Sequence, residues 1–312
     1  MNELAVGFLE RKRAKPFSLF FAHKAVHPDA AQAADGTFSV STLGGYIAAP
    51  RHRELYRDAV FPKTPYMLPA AAVVRQKPAW AECFALRESD RARAILSALH
   101  AGEQEEIRQR ARMMASVDEG IGAILEVLQR QGKLDDTFIV FLGDNGYFFG
   151  EHALGPERRF AYEEGIRSPF LVRYPRKVKA GSRRRELVIC QDIAPTLIAL
   201  AGGRPGPQIQ GRSLLPLFAR KRIPWRKSLL VEYWAEQAMP WLVGMTYKAV
   251  RTDRYKYIHW VNRGRAGELD ELYDLDRDPY ELANLNRSRA YAPVREKLRR
   301  ELRKLVAEAV GL

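Results

Sequence analysis

A chain of 312 residues that is 46% hydrophobic, with 5 Trp, 13 Tyr and 14 Phe, is apolar enough to build a core, which excludes a disordered or fibrous chain. The formal net charge of +14 fits a nucleic acid, an anionic substrate or an Arg-rich surface, and since no nucleic-acid-binding motif accompanies it, no nucleic-acid partner is expected. Two cysteines, Cys83 and Cys190, form neither a disulfide framework nor a CxxC motif, and no apolar run approaches the ~20 residues that span a bilayer, so no membrane partner is expected.

The chain opens on Leu4, Phe8 and Leu9 with charges between them, which reads as the end of a helix running into a strand over Pro16 to Ala22. This opening lacks the apolar core and small-residue cleavage site of a signal peptide, and a start in mid-element suggests that an upstream part has been lost. The strand runs into His23-Lys24-Ala25-Val26-His27-Pro28. Residues 29–75 are rich in Ala, Gly and Pro and read as a long surface excursion. From about Glu103 to Gln131, Ile107, Met114, Val117, Ile121, Ile124 and Leu128 recur at three- and four-residue steps, predicting a helix that Gly132 stops. The β-branched run Thr137 to Leu142 follows as a buried strand, giving an α-then-β unit of the parallel-sheet type. Another strand is predicted over Phe170 to Tyr174, and a helix over Ile193 to Ala201. The basic run Arg176-Lys177-Val178-Lys179 with Arg183-Arg184-Arg185 reads as a solvated turn. Beyond residue 220 come four strand-like runs, Ser228–Tyr233, Thr246–Thr252, Tyr255–Trp260 and Glu271–Leu275, and then a basic amphipathic helix, Val294 to Ala309. The expected organisation is an α/β domain over 1–220 and a small antiparallel sheet with a terminal helix over 221–312.

The strand at 137–142 ends in Gly143-Asp144-Asn145-Gly146, an acid and an amide delivered at a strand tip. In open α/β sheets ligands sit outside the carboxyl ends of the strands, and these two side chains offer the hard oxygens that calcium or magnesium takes. The plain alternative is an Asp-Asn-Gly turn. The longer string, with Gly150-Glu151-His152, Arg158 and Tyr162-Glu163-Glu164-Gly165-Ile166-Arg167-Ser168-Pro169, resembles the sulfatase family of the alkaline phosphatase superfamily in order and spacing. So do Phe20 to Pro28, Ser116 to Gly120, Asp192 to Leu197, Gly211 to Leu215, Arg251 to Tyr257 and Glu271 to Glu281, and the resemblance therefore covers most of the chain.

The resemblance implies a truncated alkaline-phosphatase-like, mostly parallel sheet flanked by helices, and sulfuric ester hydrolysis. It implies Asp144 and Asn145 as ligands of a divalent cation, most simply calcium, with His27 as general acid, Arg158 as a cation facing the sulfate, and His152 as a lining of the substrate pocket. Glu163, Glu164 and Arg167 look like scaffolding. The partner implied is a sulfate-ester small molecule or a sulfated glycan. In such enzymes a formylglycine, made from Cys in a C-x-P/A-x-R motif, attacks sulfur, and two early Asp residues complete the metal shell. Neither the Asp pair nor the nucleophile motif stands in its family position here. The chain is therefore expected to bind calcium weakly and to be incomplete or inactive as it stands, with an apolar sheet edge exposed. Cys83-Phe84-Ala85-Leu86-Arg87 matches C-x-A-x-R, but it follows His27 instead of preceding it, and it reads as an incidental, buried cysteine. Two other functions stay open: a phosphonate or phosphodiester hydrolase of the same superfamily, and a non-catalytic binder of acidic glycans.

Overall fold

The computed structural model describes residues 1–33, 38–41, 45–90, 92–94, 103–155, 157–219, 223–234, 242, 245–261 and 267–311. The chain divides into two compact units, one of residues 1–64 with 88–138 and the other of residues 65–87 with 139–312. The boundary expected at residue 220 lies within the second unit, beside residues 220–222, which are outside the described ones.

In the first unit helix α1 (Asn2–Glu10) buries Ala5 and Leu9, one turn apart, while Leu4 faces water. The Asn2 amide donates to the Ser116 carbonyl at 3.1 Å and the Gln131 amide to the Leu9 carbonyl at 2.9 Å. Both bonds tie α1 along a long helix, Glu103–Arg130. That helix stops where predicted: Gly132 takes φ +64°, and Lys133 N–H returns to the Leu128 carbonyl at 2.8 Å, which satisfies a terminal acceptor. Strands β1 (Ala30–Gln32) and β2 (Phe38–Val40) form a short antiparallel pair within the expected excursion. Phe17 to Ala22, expected as a strand, makes no ladder among the described residues, and Phe20 is 92% exposed.

In the second unit helices α2 (Ala70–Gln76) and α3 (Trp80–Arg87) precede strand β3 (Ile139–Leu142), the short helix Glu163–Ile166 and strand β4 (Phe170–Arg173). The expected parallel pairing is corrected here: β3 pairs antiparallel with β4, and every ladder among the described residues is antiparallel. Residues 143–169 return the chain to run back along β3, and an antiparallel pair needs no long crossover between its strands. The β3 residues are half-buried, and Leu171 of β4 is 64% exposed.

The C-terminal part follows the sequence reading closely. Strands β5 (Ser228–Tyr233), β6 (Thr246–Thr252), β7 (Tyr255–Val261) and β8 (Glu271–Asp274) form a meander in the order β5-β6-β7-β8. The terminal helix Ala292–Ala309 lays Leu298 and Leu302 onto Val250, Tyr257 and Leu272 of that sheet. Burying such large side chains stabilises by about 1.5–3 kcal/mol each, enough to dock a helix whose other face is charged.

Candidate active site at the tip of β3

β3 ends at Leu142, and the next four residues turn away from its C-terminal end. Gly143 N–H bonds the Pro169 carbonyl at 3.1 Å, and Gly146 N–H bonds the Gly165 carbonyl at 3.0 Å. A Cβ on Gly146 would stand 1.8 Å from the Glu164 carbonyl oxygen and 2.6 Å from that of Arg167, so only glycine lets the turn close. Between these two anchors Asp144 and Asn145 are both exposed. One Asp144 oxygen, Oδ1, accepts the Asn145 N–H at 2.8 Å, and the Asn145 Nδ2 donates to the Gly146 carbonyl at 2.5 Å. The second carboxylate oxygen and the Asn145 Oδ1 remain as two hard-oxygen donors on exposed residues. They suit calcium or magnesium in kind, although calcium takes 6–8 oxygens and this pair supplies two.

Arg158 sits close by along the backbone. Phe148 bridges Glu157, with its N–H on the Glu157 carbonyl at 2.9 Å, and the Arg158 carbonyl is 3.1 Å from a Cβ built on Gly165. The guanidinium of Arg158 has no carboxylate partner among the described residues. The structure thus brings Asp144, Asn145 and Arg158 into one region of the second unit. His27 belongs to the first unit, where it is exposed and its Nδ1 lies 2.8 Å from the Pro28 carbonyl. His23 is half-buried and accepts the Ala25 N–H at 3.1 Å; burial lowers its pKa.

His152 is placed differently from the pocket wall expected of it. It is 1% exposed, takes φ +54°, and packs against Tyr162 at 4.5 Å and Tyr66 at 5.6 Å between ring centres. Its Nε2 faces the Glu164 carboxylate at 3.1 Å. Burial, reinforced by the Lys77 ammonium, holds its pKa down at about 4, so the ring is neutral at pH 7.

Around His152 lies a network of charges that the sequence reading only touched. Glu163 is scaffolding as expected, with partners from far along the chain, while Glu164 faces the nearby His152. The Lys256 ammonium sits 2.8 Å from Glu163 and 2.7 Å from Glu281. Arg251 adds a contact of 3.1 Å to Glu163. Lys77, wholly enclosed, donates to the Tyr273 hydroxyl and to the Glu281 carbonyl, both at 2.8 Å, and lies 3.8 Å over the Tyr162 ring. The Tyr162 hydroxyl and the Trp260 indole N–H both donate to Glu271 at 3.0 Å. Burial lowers the Lys77 pKa to about 8 against the pull of Glu271 and Glu281. Burial also pushes Glu163 up, but Lys256 and Arg251 outweigh it and hold that carboxyl at about 2. Glu281, fully enclosed, is shifted upward by burial. His152, Glu164 and Glu281 stand close enough to suggest a metal cluster, but two ammonium groups already neutralise this region, and a further cation would be repelled. Lys77 was not singled out from the sequence, because a lysine ahead of proline in a low-periodicity stretch carries no sign of burial.

Cys83 lies within α3 with no exposed surface, as its core reading anticipated. Arg87, the last residue of that C-x-A-x-R match, is buried and donates to the Gly155 carbonyl at 2.9 Å.

A family model described as "Sulfatase" matches residues 1–203, and one described as "N-sulphoglucosamine sulphohydrolase, C-terminal" matches residues 150–308. An N-acetylglucosamine-6-O-sulfatase of Bacteroides thetaiotaomicron is 28% identical over 99% of this chain and 60% of its own length. An arylsulfatase of Volvox carteri is 33% identical over 78% of this chain and 40% of its own. Among solved structures, one described as a complex with its substrate D-glucosamine-2-N,6-O-disulfate superposes with a TM-score of 0.77 at 25% identity, covering 99% of this chain and 68% of that one. A phosphonate monoester hydrolase from Silicibacter pomeroyi shares the fold, with a TM-score of 0.70 at 21% identity over 83% of this chain and 53% of its own. The chain spans 60% or less of the length of these two curated relatives.

Proposed function

Because this chain belongs to the sulfatase family, with the alkaline-phosphatase-like α/β fold of its structural neighbours, we propose that it carries the cation-binding and anion-binding part of a sulfuric ester hydrolase. The observation that carries this reading is the exposed Asp144–Asn145 pair, held out at a strand tip by backbone bonds on either side. The names of the relatives suggest a sulfated amino sugar, free or within a glycan, as the substrate. Asp144 and Asn145 would hold a divalent cation, calcium in the finer reading, and with two side-chain donors its affinity falls no better than the ~10⁻⁴–10⁻³ M class. Such a cation supplies positive charge to the ester oxygens. Arg158 adds a guanidinium fork suited to two sulfate oxygens. His27 is assigned as the acid that protonates the leaving oxygen. His152 is assigned a positioning role, fixing Glu164 beneath the tip.

The nucleophile is the missing element of this reading. Cys83 is enclosed within a helix, so its sulfur has no path to an ester, and binding without a nucleophile leaves the chemical barrier in place. Calorimetric titration of residues 1–312 with calcium is expected to show millimolar binding that vanishes in an Asp144→Ala, Asn145→Ala double variant. Equal binding by the double variant would refute the site. In an aryl sulfate assay with calcium, neither the chain nor Cys83→Ala is expected to turn over. Robust hydrolysis lost in Cys83→Ala would overturn the reading of Cys83, and hydrolysis of an aryl phosphonate alone would move the chain to the other branch of the superfamily.

A further inference from the structure

A second feature of the same unit has no part in the strand-tip site. β4 runs antiparallel to β3, so the chain leaves Arg173 from the end of the ladder opposite Asp144. It then passes through a basic turn and lines an open cleft of about 470 Å³, formed by residues 183–187, Trp225, Arg226, Lys227 and Asp253. The floor is built, not draped. Asp192, with no exposed surface, accepts Arg212 N–H at 2.7 Å, Ile189 N–H at 3.0 Å and the Arg226 guanidinium at 2.7 Å. The Trp225 indole N–H donates to the Leu187 carbonyl at 2.7 Å. Above this floor Arg183, Arg184, Arg185 and Lys227 are exposed, and none has a carboxylate partner among the described residues.

Cations gathered within a Debye length (~8 Å at physiological salt) repel one another, and a multivalent anion relieves that repulsion. Guanidinium forks match sulfate and carboxylate oxygens in two-point contacts. The cleft also contains two acids, Glu186 and Asp253. Carboxylates oppose any evenly charged polyanion, but they accept hydrogen bonds from free hydroxyl groups, which a sugar chain carries between its anionic groups and a DNA strand lacks. We infer that this cleft binds an extended sulfated polysaccharide, as a holding site separate from the strand tip. The ligand class rests on the proposed function; the cationic cleft itself does not.

The test is fluorescence-polarisation binding of labelled dextran sulfate, uncharged dextran and a single-stranded oligonucleotide to residues 1–312 at 0.15 M salt. An Arg183→Ala, Arg184→Ala, Arg185→Ala variant is expected to lose about tenfold in dextran sulfate affinity, the sum of three exposed ion pairs, and to show a shallower salt dependence. The triple variant should bind calcium as the parent chain does, which separates failure of this cleft from failure of the strand-tip reading. Binding by the triple variant within twofold of the parent overturns the proposal. So does an oligonucleotide that binds as tightly as dextran sulfate and depends on the same arginines. Because these side chains are exposed, unchanged thermal unfolding of the variant is expected and confirms that binding alone was altered.

Discussion

The second unit carries two sets of oxygen-bearing side chains under opposite conditions. Glu163, Glu271 and Glu281 are buried and surrounded by Lys77, Lys256, Arg251 and tyrosine hydroxyls. Asp144 and Asn145, at the tip of β3, are exposed and bonded only to their own turn. A carboxylate committed to protein cations has no capacity left for a ligand, and its removal unbalances the interior. One held out by backbone anchors keeps its capacity and contributes little to stability. The distance between stability and ligand binding is therefore a measurable difference between the two sets.

The sharpest break of that contrast is Lys256→Met. It leaves Glu163 and Glu281 without their shared cation, and removing one partner of a buried pair costs about 3–5 kcal/mol. Denaturant unfolding should show this loss, and a change under about 1 kcal/mol would mean that the network is not ionised as described.

His152 gives a pH-dependent version of the same contrast. Its pKa is about 4 in the folded chain against an ordinary 6.5, so between these values the unfolded chain binds more protons. Stability is then fully present above pH 6.5 and falls as pH drops toward 4, by on the order of 3 kcal/mol. Below that window Glu163 continues the loss, from the ordinary 4.5 down to about 2. His152→Asn, which tolerates the positive φ, should flatten the slope between pH 6.5 and 4 in thermal unfolding. An unchanged slope would assign it to another group.

A smaller effect is expected at the tip. Gly146→Ala drives a Cβ into the Glu164 carbonyl and should destabilise by about 1–3 kcal/mol while weakening calcium binding. Asp144→Ala, by contrast, should leave stability within ~0.5 kcal/mol, as surface changes usually do. A larger loss there would show that the tip is structural.

How much was legible in the sequence follows from where each signal resides. The meander β5 to β8 and the helix Glu103–Arg130 are written as local periodicities, and both were found within a residue or two of their ends. Asp144, Asn145 and Arg158 could be singled out because they stand in one motif at fixed spacing, and the position of Asp144 and Asn145 just beyond β3 follows from that local pattern. The pairing direction of β3 was not legible, because it depends on which strand lies beside it, and no residue within β3 records that. Phe17 to Ala22 has strong strand propensity yet forms no ladder among the described residues, since propensity does not supply a neighbour. Lys77 escaped because its burial depends on Tyr273 and Glu281, about two hundred positions away.

That separation orders events in time. The floor of the basic cleft joins Asp192 to Arg212 and Arg226 across spans of 20 and 34 residues, so it can close soon after those segments are made. Lys77 waits across 204 residues for the Glu281 carbonyl. On a ribosome, Lys77, between α2 and α3, keeps its hydration until residue 281 has followed. The last strand and the turn after it therefore act as the closing latch of a region begun near residue 65.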